Sequence, residues 1–378
     1  MDSNNQRYAS NDWTVLIYAA GNNDLEYYIH QQFKLIKNSI DSENINVIIQ
    51  ISRAPRVVQQ NNSIDIDEEW HGTRRYIIKN KIAVLVDDLV EINMSRPNTL
   101  LDFLLWGSTF PSKNIMLILS GHGAGFVGIM KENTDKGATI MGIQGFAKVL
   151  AIFQKSTMKK IDIIVFDTCF MDTIEILYEI AVNSNGAAVC AIISKNNLSL
   201  QGLPYYKIID ILKKDNPKVV NGLKNKEIIN SLITWININK RDSDSDLLAI
   251  HLLGDNFIRL KKLVDSMSEL FSSDSNKFKA MLIDLRFYKL NFDFIDFSNL
   301  LNQVWYYYPD IAHSKNMVLD VLNKIIITPE LNEKDLGLKL FFPHNSQVYF
   351  KYYNLYKEMS FCQDNKWVKL IYEINMQI

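Results

Sequence analysis

A thiol and an imidazole occupy matching places in this chain. Cys169 follows the apolar run Ile161-Asp-Ile-Ile-Val-Phe166 and precedes Met171, Ile174, Leu177, Tyr178 and Ala181, which recur at helical spacing. His122 follows the apolar run Leu117-Ile-Leu119 and stands between Gly121 and Gly123. A cysteine at a strand-to-helix turn can have its thiolate stabilised by the outward N–H groups of the helix entrance. Flanking glycines let the chain turn sharply after a strand and let a substrate backbone come close. At the ends of neighbouring strands the pair could perform nucleophilic acyl transfer. His122 would take the thiol proton, and the Cys169 sulfur would attack a peptide carbonyl. The N–H groups of Gly123 and Cys169 are candidate donors to the oxyanion. No third residue stands out to orient the imidazole, so the expectation is a dyad.

Asp167 lies two residues before the thiol, on the same side of an extended chain. A carboxylate there raises the thiol pKa and is a poor activator. It can form the floor of a pocket for a lysine or arginine side chain, or cap the following helix. Cys190 lies within an apolar strand, and Cys362 has no histidine nearby in sequence. Three cysteines without CxxC spacing give neither a disulfide framework nor a zinc site. The histidines show no metal-ligand spacing. Gly123-Ala-Gly125-Phe-Val-Gly128 fits a phosphate-binding glycine spacing, but no helix opens behind it and no acidic ribose partner follows.

The elements that must position these groups alternate along the first half. Residues 13–18, 46–51, 114–119, 161–166 and 187–193 read as short apolar strands. Asn22-Asn23-Asp24 can cap a helix whose face includes Leu25, Ile29, Phe33 and Ile36, and Pro97 opens another. Residues 74–80 and 83–86 read as a small β-excursion. The pattern predicts an α/β fold with a mainly parallel sheet covered on both faces. Ligands then gather beyond the carboxyl ends of the strands, where His122 and Cys169 fall. After residue 215 helices dominate, at 225–238, 256–271, 277–287, 294–307 and 314–326, with strands at 247–251 and 337–342. The expected organisation is an α/β catalytic domain over 1–215 and a mostly helical subdomain over 216–378 that could add strands to it.

The formal net charge of −1 gives no support for binding nucleic acid or a membrane surface. The first twelve residues lack the apolar stretch of a signal peptide, and no run is long enough to span a bilayer. With Met1 as the natural start, a cytoplasmic protein is expected. Asp242-Ser-Asp-Ser-Asp246 reads as a solvated loop.

These residues resemble the clostripain-like cysteine peptidases, family C11 of the caspase-related clan CD. The resemblance rests on Trp13-Thr-Val-Leu-Ile-Tyr18 with Asn23-Asp24-Leu25, and on Asn93-Met94 with Thr99-Leu100, Phe103 and Trp106. It rests further on Gly121-His-Gly-Ala-Gly125, on Asp167-Thr-Cys-Phe-Met171 through Glu175, and on Gly337-Leu-Lys-Leu-Phe-Phe-Pro343. The separation 169 − 122 = 47 also suits a caspase-type arrangement. The resemblance implies a three-layer caspase-like sandwich and a cysteine endopeptidase with a His122/Cys169 dyad. It also implies cleavage after arginine or lysine, with Asp167 in the specificity pocket.

Such enzymes are often made as one chain and cut between the histidine and cysteine segments. Here Lys136, followed by Gly137, is the preferred self-cleavage site and Lys131 the second, in a stretch (131–137) that reads as a flexible loop. The plain alternative is a charged surface loop. No cofactor is expected to be required; calcium dependence comes with the resemblance alone. Ser194-Lys-Asn-Asn197 stands where the family usually carries an acidic cluster. Family members are commonly exported, so an intracellular member would be a regulated protease with a dedicated partner protein. The competing reading is a pseudo-protease or binding module that holds a protein partner in its cleft.

Overall fold

Apolar strands and amphipathic helices alternate from the start. In order they are β1 (Asn11–Ala19), α1 (Glu26–Ser39), β2 (Ile45–Arg53), β3 (Gly72–Lys79), β4 (Ile82–Val90), α2 (Pro97–Gly107) and β5 (Ser112–Ser120). Next come β6 (Ile129–Thr134), β7 (Gly137–Met141), α3 (Ile143–Thr157), β8 (Ile161–Asp167), α4 (Ile174–Asn183), β9 (Ala188–Ser194) and α5 (Tyr205–Lys214). The second part holds β10 (Val219–Val220), β11 (Leu223–Lys224), α6 (Lys226–Asn239), β12 (Leu247–His251), α7 (Gly254–Ser273) and α8 (Ser275–Phe287). It ends with β13 (Phe294–Asp296), α9 (Phe297–Tyr307), α10 (Lys315–Ile325), β14 (Ile326–Ile327), β15 (Lys339–Phe341), α11 (Ser346–Lys357) and α12 (Lys366–Met376). The computed structural model describes residues 11–39, 44–55, 70–195, 197–214, 219–220, 223–240, 246–287, 293–327, 332–343 and 346–376.

Nine strands form one sheet in the order β14-β12-β9-β8-β5-β1-β2-β3-β4. The five from β9 to β2 are parallel, and both edges are finished by antiparallel strands. The parallel strands are buried on both faces, which is why they read as nearly continuous apolar runs. Alternate residues feed separate cores. Leu16, Leu117 and Ile164 pack with Phe103, Phe146 and Leu177 of the helices on one side. Val15, Ile118 and Val165 share the other side with Phe33, Ile208 and Ile228. The result is the expected three-layer sandwich.

Several elements sharpen or correct the expectation. The excursion at 74–86 is the β3–β4 hairpin, which extends the main sheet beyond β2. Asn80 and Lys81 turn it, both with positive φ, as a two-residue hairpin requires. The stretch 131–137 is not a loose loop. It lies in the β6–β7 hairpin, which closes at Thr134 and Gly137, with Ile129 and Met130 in the core and Glu132 buried. The helix expected at 294–307 opens as β13, which pairs with β15. From the later segment, β12 joins the main sheet beside β9. The first ten residues and most of the acidic run, 242–245, lie outside the described residues. Among the described residues, no helix is long and apolar enough to cross a membrane.

The later elements are fastened to α4, the helix behind Cys169, by a buried carboxylate. Glu175 Oε1 accepts hydrogen bonds from the backbone N–H of Phe341 at 2.7 Å and the hydroxyl of Tyr356 at 2.9 Å. Burial raises its pKa to about 7, although these donors work the other way. The unfolded chain ionises nearer the ordinary glutamate value, so between the two the native state holds a proton that the unfolded state has lost. Stability therefore falls as pH rises across that window, by up to about 1.4 kcal/mol per pH unit for this group. Thermal melts from pH 5 to 7 will show a shallower decline for Glu175→Gln than for the wild type. Parallel curves would assign the pH dependence elsewhere.

Candidate active site

Strands β5 and β8 are neighbours, with Ser120 directly opposite Asp167. His122 and Cys169 therefore leave the sheet in step, each two residues past that pair. The Gly121 N–H donates to the Asp167 carbonyl at 3.3 Å, which carries the alignment beyond the strand ends. One residue on, Gly123 lies flat against the Cys169 backbone. A β-carbon there would come within 2.3 Å of the Cys169 carbonyl oxygen and 3.3 Å of its nitrogen. The two candidate oxyanion donors are thus side by side. His122, Cys169 and Asp167 line one cavity of about 250 Å³, together with Tyr28 of α1 and the loop from Asn197 to Gly202.

The imidazole has a partner that the dyad expectation missed. His122 Nε2 meets Asp24 Oδ1 at 2.8 Å. Asp24 sits on the turn between β1 and α1, next to β5 in the sheet. Asn23 builds that turn: its buried amide donates to the carbonyls of Ala20 at 3.0 Å and Lys131 at 2.8 Å, while its Oδ1 accepts from Leu25 N–H at 2.8 Å. Asn23 does the capping, and Asp24 is left to reach His122. Partial burial works to raise the Asp24 pKa, but the hydrogen bond and charge of His122 hold it below the ordinary carboxylate value. The signal in sequence was only a carboxylate just past the strand that becomes the neighbour of β5.

Asp167 is buried in the cavity wall. Its carboxylate accepts from Leu203 N–H at 3.2 Å to each oxygen and from the hydroxyl of Tyr205. Gly202, at φ +65°, passes so near that a β-carbon would lie 2.5 Å from Oδ2. Neither Leu203 nor Tyr205 was singled out for this contact. Of the two candidate cleavage lysines, Lys131 lies within β6, where its carbonyl is held by Asn23. Lys136 is exposed in the turn between β6 and β7. Among the described residues, no group of three or more His, Cys, Asp or Glu side chains could hold a metal ion.

The profile of the clostripain family, Peptidase C11, matches residues 17–373. The chain belongs to the clostripain family. It is 25% identical to clostripain of Hathewaya histolytica over 224 residues, which are 53% of this chain and 42% of that protein. The chain thus spans less than half the length of that curated relative. Two solved structures share its fold. One is an inactive zymogen C11 protease from Parabacteroides distasonis, with TM-score 0.65 and 19% identity over 94% of this chain and 98% of that one. The other is a secreted C11 cysteine protease from Bacteroides thetaiotaomicron in complex with an irreversible peptide inhibitor, with TM-score 0.60 and 15% identity over 93% and 97% of the two chains.

In this clostripain-family site the segment after β9 differs from the expected acidic cluster, yet its basic residue is turned away. Lys195 Nζ pairs with Asp335 at 2.8 Å, and its stem packs under Gly337. Asn197 reaches the cavity wall, while Asn196 lies outside the described residues. Lys339 ties this segment to the thiol loop. Its Nζ meets Asp172 Oδ2 at 2.7 Å and donates to the Lys195 carbonyl at 3.0 Å.

The thiol itself departs from the helix-entrance expectation. Helix α4 begins only at Ile174, after a turn in which Phe170 has φ 62°. Cys169 thus stands five residues ahead of the helix rather than at its entrance. Burial pushes the Cys169 thiol above its ordinary pKa, and the negative charges of Asp167 and Asp172 add to the rise; the Leu198 N–H opposes it. The shift favours the thiol over the thiolate, so ionisation calls for a base. Alkylation of Cys169 by iodoacetamide, followed by peptide mass mapping across pH, will show a midpoint above the roughly 8.5 of a free cysteine. A midpoint below 7 would mean a preformed thiolate.

Proposed function

We propose that this protein is a cysteine endopeptidase that cleaves after lysine or arginine. The observation that carries the proposal is the matched exit of His122 and Cys169 from β5 and β8 over one cavity with Asp167 in its wall. With Asp24 on Nε2, the other imidazole nitrogen is left to take the Sγ proton. The sulfur then attacks the carbonyl carbon. Negative charge gathers on the oxygen, where the N–H groups of Gly123 and Cys169 are the donors available. The imidazolium returns its proton to the leaving amine, and water, deprotonated by the same histidine, cleaves the thioester. Asp24 keeps the ring in one tautomer throughout and stabilises its charged form.

A buried carboxylate in a narrow cavity favours a cationic side chain of the substrate, because an uncharged one would leave that charge without a counter-ion. The turning away of Lys195 supports the same preference. On fluorogenic peptides ending in Arg or Lys, Cys169→Ala will be inactive and His122→Ala will lose about 100-fold or more in kcat/KM. Asp167→Ala will lose the preference for basic over neutral residues. Equal rates for wild type and Cys169→Ala would sink the peptidase reading, and intact selectivity in Asp167→Ala would sink the pocket.

The single chain is also a candidate for self-processing. Lys136 is the favoured site, since its turn is exposed whereas the Lys131 carbonyl is already bonded within β6. Intact-mass analysis of wild type beside Cys169→Ala will give two fragments joined at 136/137 only in the wild type. A cut that persists in Cys169→Ala, or an uncut wild type, would remove self-processing from the account.

A further inference from the structure

The two edges of the main sheet are finished very differently. At one, β14 offers only Ile326 and Ile327, both buried. At the other, β4 is nine residues long and nearly all exposed. Ile82, Val84, Leu85 and Val86 are exposed by 60%, 49%, 46% and 47%, and among the described residues no strand follows β4. A long apolar edge invites another strand, and soluble proteins normally blunt one with charges or bulges. Here Asp87 and Asp88 and two register shifts blunt only the later half. Ile82–Leu85 remains regular, apolar and free of bulges.

The hairpin dictates which backbone groups face outward. Its two-residue turn makes Lys79 and Ile82 the closing hydrogen-bonded pair, and bonding alternates from there. Ile82 and Val84 therefore direct their N–H and C=O groups toward β3. Ala83 and Leu85 direct theirs to the edge. An antiparallel copy of the same strand meets this pattern when Val84 lies opposite Val84. Ala83 of each chain then faces Leu85 of the other, and both pairs have outward N–H and C=O groups to exchange.

The same register brings Ile82 near Val86, the residue that bulges out of the β3 ladder, and the turn residue Lys81 near Asp87 of the second copy. Neither Lys81 nor Asp87 has an ion-pair partner among the described residues, whereas neighbouring Asp88 is already held by Arg74 at 2.9 Å. A register shifted by two would instead set Ile82 against Asp88 and Ala83 against Asp87. We infer that β4 is a self-complementary edge through which two copies of this chain associate about a two-fold axis at Val84, joining their sheets and pairing Lys81 with Asp87 twice. The contact lies at the edge of the sheet remote from β8 and leaves the Cys169 cavity open.

Light scattering on a sizing column tests this with the full chain. The wild type will run at twice its 43.7 kDa mass at high concentration and dissociate on dilution. Lys81→Glu and Asp87→Lys, each bringing like charges together twice, will each weaken association by about tenfold or more. Mixing the two variants restores it, because every contact in the mixed dimer again joins opposite charges. Matching circular dichroism and melting temperatures for all three proteins will establish that the exposed substitutions left the fold intact. A wild type that stays monomeric at the highest concentration reached overturns the inference. So does a dimer indifferent to either charge reversal, or a mixture that does not recover.

Discussion

Asp172 and Lys339 meet in surroundings that exclude nearly all water from the carboxylate, and the site depends on that contact. Burial raises the Asp172 pKa to about 6, and the Lys339 ammonium acts against the rise. A carboxylate so enclosed is tolerable only while a cation faces it. The pair fixes the loop that carries Cys169 to a strand contributed from far along the chain. Because the same ammonium also holds the Lys195 carbonyl, the two walls of the cavity are set by one side chain. The backbone reinforces this, with Lys339 N–H donating to the Asp172 carbonyl at 2.9 Å. The later part of the chain is thus a structural member of the site.

On the histidine side the equivalent role falls to Asn23. Its amide joins the β1 turn to β6, and β6 is bound in turn by the buried Glu132, which accepts from Ser52 at 2.6 Å and from Asn22 N–H at 3.3 Å. Asp24 is presented to His122 by this frame. The imidazole side and the thiol side are therefore built alike, each from a strand-end loop clamped by a polar contact reaching across the chain.

Much of this was legible in the sequence because parallel strands buried on both faces leave an unmistakable apolar run, and glycine beside histidine marks where one ends. That pattern alone places His122 and Cys169 at strand ends. What stayed hidden depended on partners distant in sequence. Asp24 looked like a helix cap because its neighbour Asn23 has the same local chemistry. Lys339 sat in a recognisable strand motif, but nothing nearby indicated that its charge was needed beside Asp172. The 131–137 stretch looked mobile because its residues are charged, and only pairing with β7 and burial of Glu132 make it a strand. The gap between the thiol and α4 stayed hidden because helical spacing does not reveal where hydrogen bonding begins.

The upward shift of the Cys169 thiol has a consequence for the lifetime of the molecule. Peroxide and most electrophiles attack thiolates, so a sulfur that keeps its proton until a base removes it is spared much of that chemistry. The burial and the two acidic neighbours that disfavour ionisation of the thiol also make it slower to oxidise. Reluctance to ionise and resistance to oxidation thus share one cause, the buried and acidic surroundings of the sulfur.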